Sequence, residues 1–389
     1  MLNLLKPLAS LKLTVWIFAL SMFLIFAGTL AQVNQGIWTV IDTYFRSLFV
    51  RIEFQIFVPQ SVGRVPGAIW FPGGLTLGVA MFVNLIAAHA VRFKFKKNRI
   101  GIILTHFGVI LLLVGEFVTG FAAEEGNMTI REGETVNFVE DIREAELAII
   151  DQSDPEEDLV ISIPQWKLSQ ENMITNGMLP FRIEVTEWLQ NSQVFGPAQS
   201  PPDRVGLADT GAASQLAAVP IEIANGVDGA NVDVPSMYAT LYNGEERIGS
   251  FLFSVYLSQP QLVEIDGRDY WIELRFKRTY KDYQLKLIDF KHDLFTGTQM
   301  ARNYSSQVQL MDEGRNVDRE VLIYMNHPLR HAGETFYQSS FLENDEGTVL
   351  QVVKNPGWLI PYLSCTIVTL GMIIHFGIRM VPALRRKPS

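Results

Sequence analysis

Residues 99–121 read RIGIILTHFGVILLLVGEFVTGF, an apolar run that carries one imidazole, His106, and one carboxylate, Glu116. A hydrocarbon core about 30 Å thick needs roughly 20 apolar residues at about 1.5 Å of rise each, and this run supplies them. Ionisable groups inside such a segment are unfavourable and mark function. Gly101, Gly108 and Gly115 recur every seven residues and fall on one flank, where another helix can approach closely. Two residues turn a helix by about 200°, so His106 lies on nearly the opposite side from Gly108. The spacing therefore predicts a membrane helix with protein on both flanks.

Charge is divided along the chain. Residues 123–355 hold 38 acidic against 18 basic side chains, whereas the remainder holds only Asp42, Glu53 and Glu116 against 14 basic ones. Such asymmetry within a 389-residue chain of net charge −9 indicates two environments. The single cysteine, Cys365, lies in an apolar run, which excludes an internal disulfide, a CxxC motif and a thiolate zinc site.

Three further spans are expected. An N-terminal segment from about Leu13 to Leu30 follows Lys6 and Lys12, but it exceeds the roughly 7–15 apolar residues of a signal sequence. It reads as the first span, about residues 13–32, rather than as a cleaved leader. The second is expected over about 68–91, with Pro72, Gly73 and Gly74 favouring a bent or late start. Residues 37–54 mix aromatic and charged side chains, which suits an interfacial helix and equally a loop packed on the bundle. The third span is 100–121 and the fourth runs from about Trp358 to Ile378.

The loop RFKFKKNR, residues 92–99, has five basic residues and no acid, which places it in the cytoplasm. The tail, with Arg379, Arg385, Arg386 and Lys387, agrees. The expected protein is multi-pass in the inner (cytoplasmic) membrane, both termini cytoplasmic, with residues 123–355 periplasmic. Its domains are a bundle over 1–122, an outer domain over 123–355, and a last span with basic tail over 356–389.

The outer segment alternates apolar and polar residues in stretches such as FRIEVTEWLQ, GSFLFSVYL and REVLIYMNH, spaced by Gly, Asn, Asp and Pro. The fold class expected is therefore membrane α plus β, four helices with a large, mainly antiparallel β domain between the third and fourth. Residues 191–219 lack periodicity and read as an exposed loop.

Six histidines are present. His89, His106 and His375 fall in the cytoplasmic halves of their spans. His106 is deepest, and a ligand or proton-transfer role is the reading its position favours; His89 and His375 are near helix ends, where capping or head-group contact also accounts for them. His327 and His331 are four apart, but Pro328 and Gly333 break the helix a metal pair would need. Glu116 can relay protons, pair with a cation of another subunit, or reach the interface.

The stretch NHPLRHAGETFYQSSF, residues 326–341, resembles the signature near the end of the outer domain of ResB-type cytochrome c biogenesis proteins, with Asn326, Pro328, Leu329, Gly333, Tyr337, Gln338 and Ser340 in matching places. SLKLTVWIFALSMFLIFAGTLAQ resembles that family's opening helix, and THFGVILLLVGEF its third. The resemblance implies a CcsB-type subunit of the system II cytochrome c synthase, which moves haem across the membrane for attachment to apocytochrome c. It implies that His106 is an axial ligand of haem b, held non-covalently; His89 and His375, in the same half of the membrane, are further candidate ligands by position. Arg92, Lys94 and Lys96 are candidate contacts for the haem propionates. Implied partners are a ResC/CcsA-type haem-handling membrane protein, apocytochrome c and a thioredoxin-like thiol reductant; no tryptophan-rich WWD segment is present, so a separate partner is required. The chain would be an auxiliary subunit of a haem lyase complex. A scaffold that docks apocytochrome and binds no haem is the alternative; a proton-coupled transporter would leave the outer domain without a role.

Overall fold

The computed structural model describes residues 6–59, 62–92, 96–154, 157–223, 232–257, 259–294, 301–342 and 345–385. Two compact units are present, one holding Met1–Glu124 and Lys354–Ser389, the other most of the residues between.

Within the first unit, four helices among the described residues are long and apolar enough to cross a membrane. They are α1 (Leu11–Gln35), α2 (Gly74–Arg92), α3 (Ile100–Ala122) and α4 (Ile360–Arg385). The glycine flank of α3 is covered by α4 running antiparallel: a side chain on Gly101 would meet the backbone of His375, one on Gly108 would meet Val368 and Ser364, and one on Gly115 would meet Ile360. Gly371 answers from α4, seated against Thr105. Small residues at this spacing let the two backbones approach, the packing mode available where lipid removes the hydrophobic drive between helices. The α1–α2 pair is pinned by a polar link instead. Buried Asn84 accepts from Thr14 Oγ1 at 2.7 Å and donates to the Leu8 carbonyl at 2.6 Å.

The segment between α1 and α2 departs from an interfacial helix. Only Ile37–Val40 is α-helical; a π turn over Ile41–Phe45 follows, then β1 (Phe49–Glu53), paired antiparallel with β2 (Ala68–Pro72). Val50 and Ile52 alternate inward and pack with Leu24, Ala27, Ala31 and Leu77, so this is a hairpin packed on the bundle. The second span accordingly starts at Gly74 rather than near 68, because IWF lies in the ladder and Pro72 precedes a Gly-Gly break.

The second unit is β-rich, mainly antiparallel, with two apolar cores. Its strands are β3 (Glu124–Arg131), β4 (Thr135–Asp151), β5 (Leu159–Pro164), β6 (Met173–Ile174), β7 (Arg182–Leu189), β8 (Ser192–Phe195), β9 (Ala217–Pro220), β10 (Ser236–Asn243), β11 (Glu246–Ser254), β12 (Gln261–Ile265), β13 (Arg268–Leu294), β14 (Ala301–Asp312), β15 (Val317–Tyr324), β16 (Leu329–His331), β17 (Glu334–Phe341) and β18 (Gly347–Lys354). A four-stranded sheet, β11-β10-β7-β6, faces β4, β5, β12 and the first half of β13 across a core that includes Leu147, Ile163, Ile183, Leu241, Phe253 and Ile272. The second half of β13 joins β14–β18, β3 and β4 around another core, with Ile130, Leu287, Leu310, Phe336 and Leu350. Stretches that look separate in sequence are single strands here: β4 and β13 stay paired through both cores, with register shifts at Phe276/Arg278 and Tyr280/Leu285 that turn them from one to the other.

The 191–219 segment also differs from an exposed loop. Its ends pair as β8 and β9, and Ala208 and Ala213 pack with Tyr238 and Leu252. Its small residues bury without the period-2 pattern that would have marked them.

Candidate functional site

The hairpin formed by α2 and α3 brings His89 and His106 together, their ring centroids 5.2 Å apart in edge-to-face contact. Helix geometry fixes both rings. Each Nδ1 lies 2.8 Å from the carbonyl one turn back, Leu85 O for His89 and Ile102 O for His106. A carbonyl can only accept, so each Nδ1 carries a proton, and a neutral ring then has its lone pair on Nε2. Anchoring one ring nitrogen on a backbone carbonyl is how metal-ligating histidines are oriented. Both side chains are half-buried.

This donor chemistry fits a haem iron, for which neutral imidazole is the common axial ligand. Distance restricts the arrangement. Two imidazoles on opposite faces of one iron, at a metal–nitrogen distance of about 2 Å, stand with centroids roughly 6 Å apart. At 5.2 Å the pair would supply one ligand and one neighbour, and both could ligate only if the rings separated by about an ångström.

His375 is elsewhere. Its backbone packs on Gly101, on the flank of α3 turned away from His106, and its ring lies beside Phe376. Lys94 and the side chain of Arg92 lie outside the described residues; Lys96 is exposed, one residue before a short 3-10 turn over Lys97–Arg99.

The signature stretch of the outer domain is built from turn and network residues. Asn326 (φ 62°) turns the chain between β15 and β16, and Ala332 and Gly333, both at positive φ, make the two-residue hairpin between β16 and β17. His327 stacks on Tyr324, with centroids 4.3 Å apart. His331 Nε2 is 2.7 Å from Oδ2 of Asp312, whose side chain is wholly buried and also receives Arg315. Hydrogen bonds from Arg315 and His331 outweigh the effect of burial and hold Asp312 below the usual carboxylate range. Nearby, Glu334 accepts from Lys281 Nζ at 2.7 Å and from the Tyr283 hydroxyl; burial, then this carboxylate, push the Tyr283 phenol up. Gln338 accepts from Ser306 and donates to Thr348. Among the described residues no three His, Cys, Asp or Glu side chains converge as metal ligands. The polar groups of the signature hold the second core together.

Four helices of spanning length with a β domain inserted before the last define a membrane protein with a large extramembrane domain. Residues 271–349, most of the second core's strands, match the ResB-like family, so the resemblance carried by residues 326–341 holds and this stretch is ResB-like. The chain is also similar to Protein NrfI of Wolinella succinogenes, with 24% identity over 308 residues, covering 78% of this chain. It spans 30% of that relative's length.

Proposed function

We propose that this chain is a membrane subunit of cytochrome c biogenesis that holds haem in the bilayer through His106, working with a ResC/CcsA-type partner that passes it to apocytochrome c. The family match and the similarity to NrfI support the biogenesis role. The His89–His106 pair, each Nδ1 tethered to its own helix, is the observation that carries the haem assignment.

Haem, the cargo, would supply the iron and two propionates. His106 presents Nε2 as one axial ligand; its tether keeps the ring from rotating, which preserves the lone pair's direction. His89 packs against that ring and limits its tilt. A second ligand would come from the partner, since His375 is on the far flank of α3. In the sequence Arg92, Lys94 and Lys96 lie between His89 and His106, and such basic groups would attract propionates and set the end from which haem enters. The basic composition of residues 92–99 supports a cytoplasmic position for that end and a periplasmic one for the β domain.

The test is an absorption spectrum of the full chain purified with its partner. Wild type gives a Soret band, and His106→Ala removes it while the protein still elutes as folded. An unchanged band in that variant overturns the assignment and leaves the scaffold reading, in which the β domain docks apocytochrome.

A further inference from the structure

The helix α3 has two flanks accounted for: the glycine flank carries α4, and the flank bearing His106 meets α2. Glu116 is on neither. At about 100° per residue it stands roughly 80° from His106 and 80–100° from Gly108 and Gly115. Val109 and Leu112 share that side, and all three are exposed. Among the described residues Glu116 makes no hydrogen bond and no ion pair.

Depth makes this position informative. α3 runs from Ile100 to Ala122, 23 residues, so Glu116 is about five residues, or roughly 7 Å, beyond its middle toward the C-terminal end. That leaves it roughly 7 Å inside a 30 Å hydrocarbon layer. Reaching the nearer interface means extending toward the helix C-terminus. Helical side chains lean toward the N-terminus, here toward the bilayer centre. Escape to water is thus directed the wrong way, and a carboxylate left in lipid is strongly disfavoured.

The charge must be met from outside this chain. The apolar stretches 13–33, 74–91, 100–122 and 360–378 contain no Lys or Arg, and their His, Asp and Glu besides Glu116 are His89 and His106, on the first half of α3 or level with it, and His375, at Gly101. A second copy in the same membrane orientation would bring the same groups at the same depths and offer no cation opposite Glu116.

We propose that the Val109–Leu112–Glu116 side of α3 docks a membrane-spanning helix of a different protein, whose Lys, Arg or His pairs with Glu116. This names the docking side for the membrane partner and rests on the reading above only for which protein that partner is.

The test places a photocrosslinking amino acid at Leu112 in the full chain, co-expressed with the ResC/CcsA-type protein in membranes, and maps the crosslinked peptide. The expected product joins position 112 to an apolar segment of that protein with a basic residue within one turn. Glu116→Gln lowers its yield about tenfold, and Glu116→Lys combined with exchange of the partner's basic residue for Glu restores it. Crosslinking to lipid alone, to a second copy, or to a segment without a basic residue overturns the proposal, as does an unchanged yield in Glu116→Gln. A Soret band measured on the same samples reports separately on His106: its absence with the crosslink present sinks the haem reading alone, and its presence without the crosslink sinks the docking alone.

Discussion

Two histidines of the bundle and two of the β domain are held by different partners. His89 and His106 each give Nδ1 to a backbone carbonyl. His292 and His331 instead contact carboxylates, Asp345 at 2.9 Å and Asp312 at 2.7 Å. A carbonyl accepts from Nδ1 and so orients the ring, as the anchors of metal-ligating histidines do. A carboxylate ties the ring into a network with the other groups it holds, as Asp312 does with Arg315. The same residue type is therefore anchored on backbone in one unit and on carboxylates in the other.

The sharpest way to break this contrast is to exchange the losses. His106→Ala is expected to abolish the Soret band while leaving the β domain's thermal midpoint unchanged. His331→Ala should do the reverse, lowering the midpoint, followed by circular dichroism, with haem content intact. A parallel loss of both signals in either variant would mean that the two groups of histidines are not functionally distinct.

Next in size is the ionic network of the first β core. Arg275 is buried, with Nε 3.0 Å from Glu146 and Nη1 2.7 Å from Glu273. Burial alone would lower the guanidinium pKa, but the two carboxylates more than offset it and raise it. Arg275→Ala leaves Glu146 buried without its cation and should destabilise the domain by about 3–5 kcal/mol in denaturant titrations. The bundle offers the contrasting case, since its closest packing uses no charge. Gly108→Leu would drive a side chain into Val368 and the Ser364 carbonyl and should cost about 1–3 kcal/mol, read as loss of the detergent-purified monodisperse peak.

Periodicity made the bundle legible where a single rule governs it. Gly101, Gly108 and Gly115 foretold a close helix, and α4 is that helix, because in lipid small residues are what permit approach. Four spanning helices and a mainly antiparallel β domain were likewise readable from length, charge and alternation. The His89–His106 contact was not read: His89 looked like a helix-end residue. The signal was there in two histidines flanking a short basic loop, which a helical hairpin brings to neighbouring heights. The residues between α1 and α2 misled because aromatic and basic side chains suit an interfacial helix as well as a hairpin, and only the pairing of Arg51 with Trp70 and Ile52 with Ile69 decides it. The network of Arg275 with Glu146 was out of reach, since its members are 129 residues apart and pair only once β4 and β13 are in register.

The smallest effect concerns acid, and it tests whether carboxylates secure the β domain in general. Asp209 accepts from the Ser250 amide at 2.8 Å, from Arg247 and from Thr210, and these bonds, the amide foremost, lower its pKa to about 2. A carboxylate with a depressed folded-state pKa stabilises above its unfolded value, near 3.9, and that contribution fades as pH falls through about 2. Asp209→Asn should therefore lower stability slightly at neutral pH, because the site is half exposed and screened by solvent. It should also flatten the decline between about pH 4 and 2, where wild type loses this contribution. Because the Nδ1 atoms of His89 and His106 bond backbone carbonyls, the spectrum of haem held there should follow wild type across the same range, and a spectrum that moved with Asp209 would couple the two units.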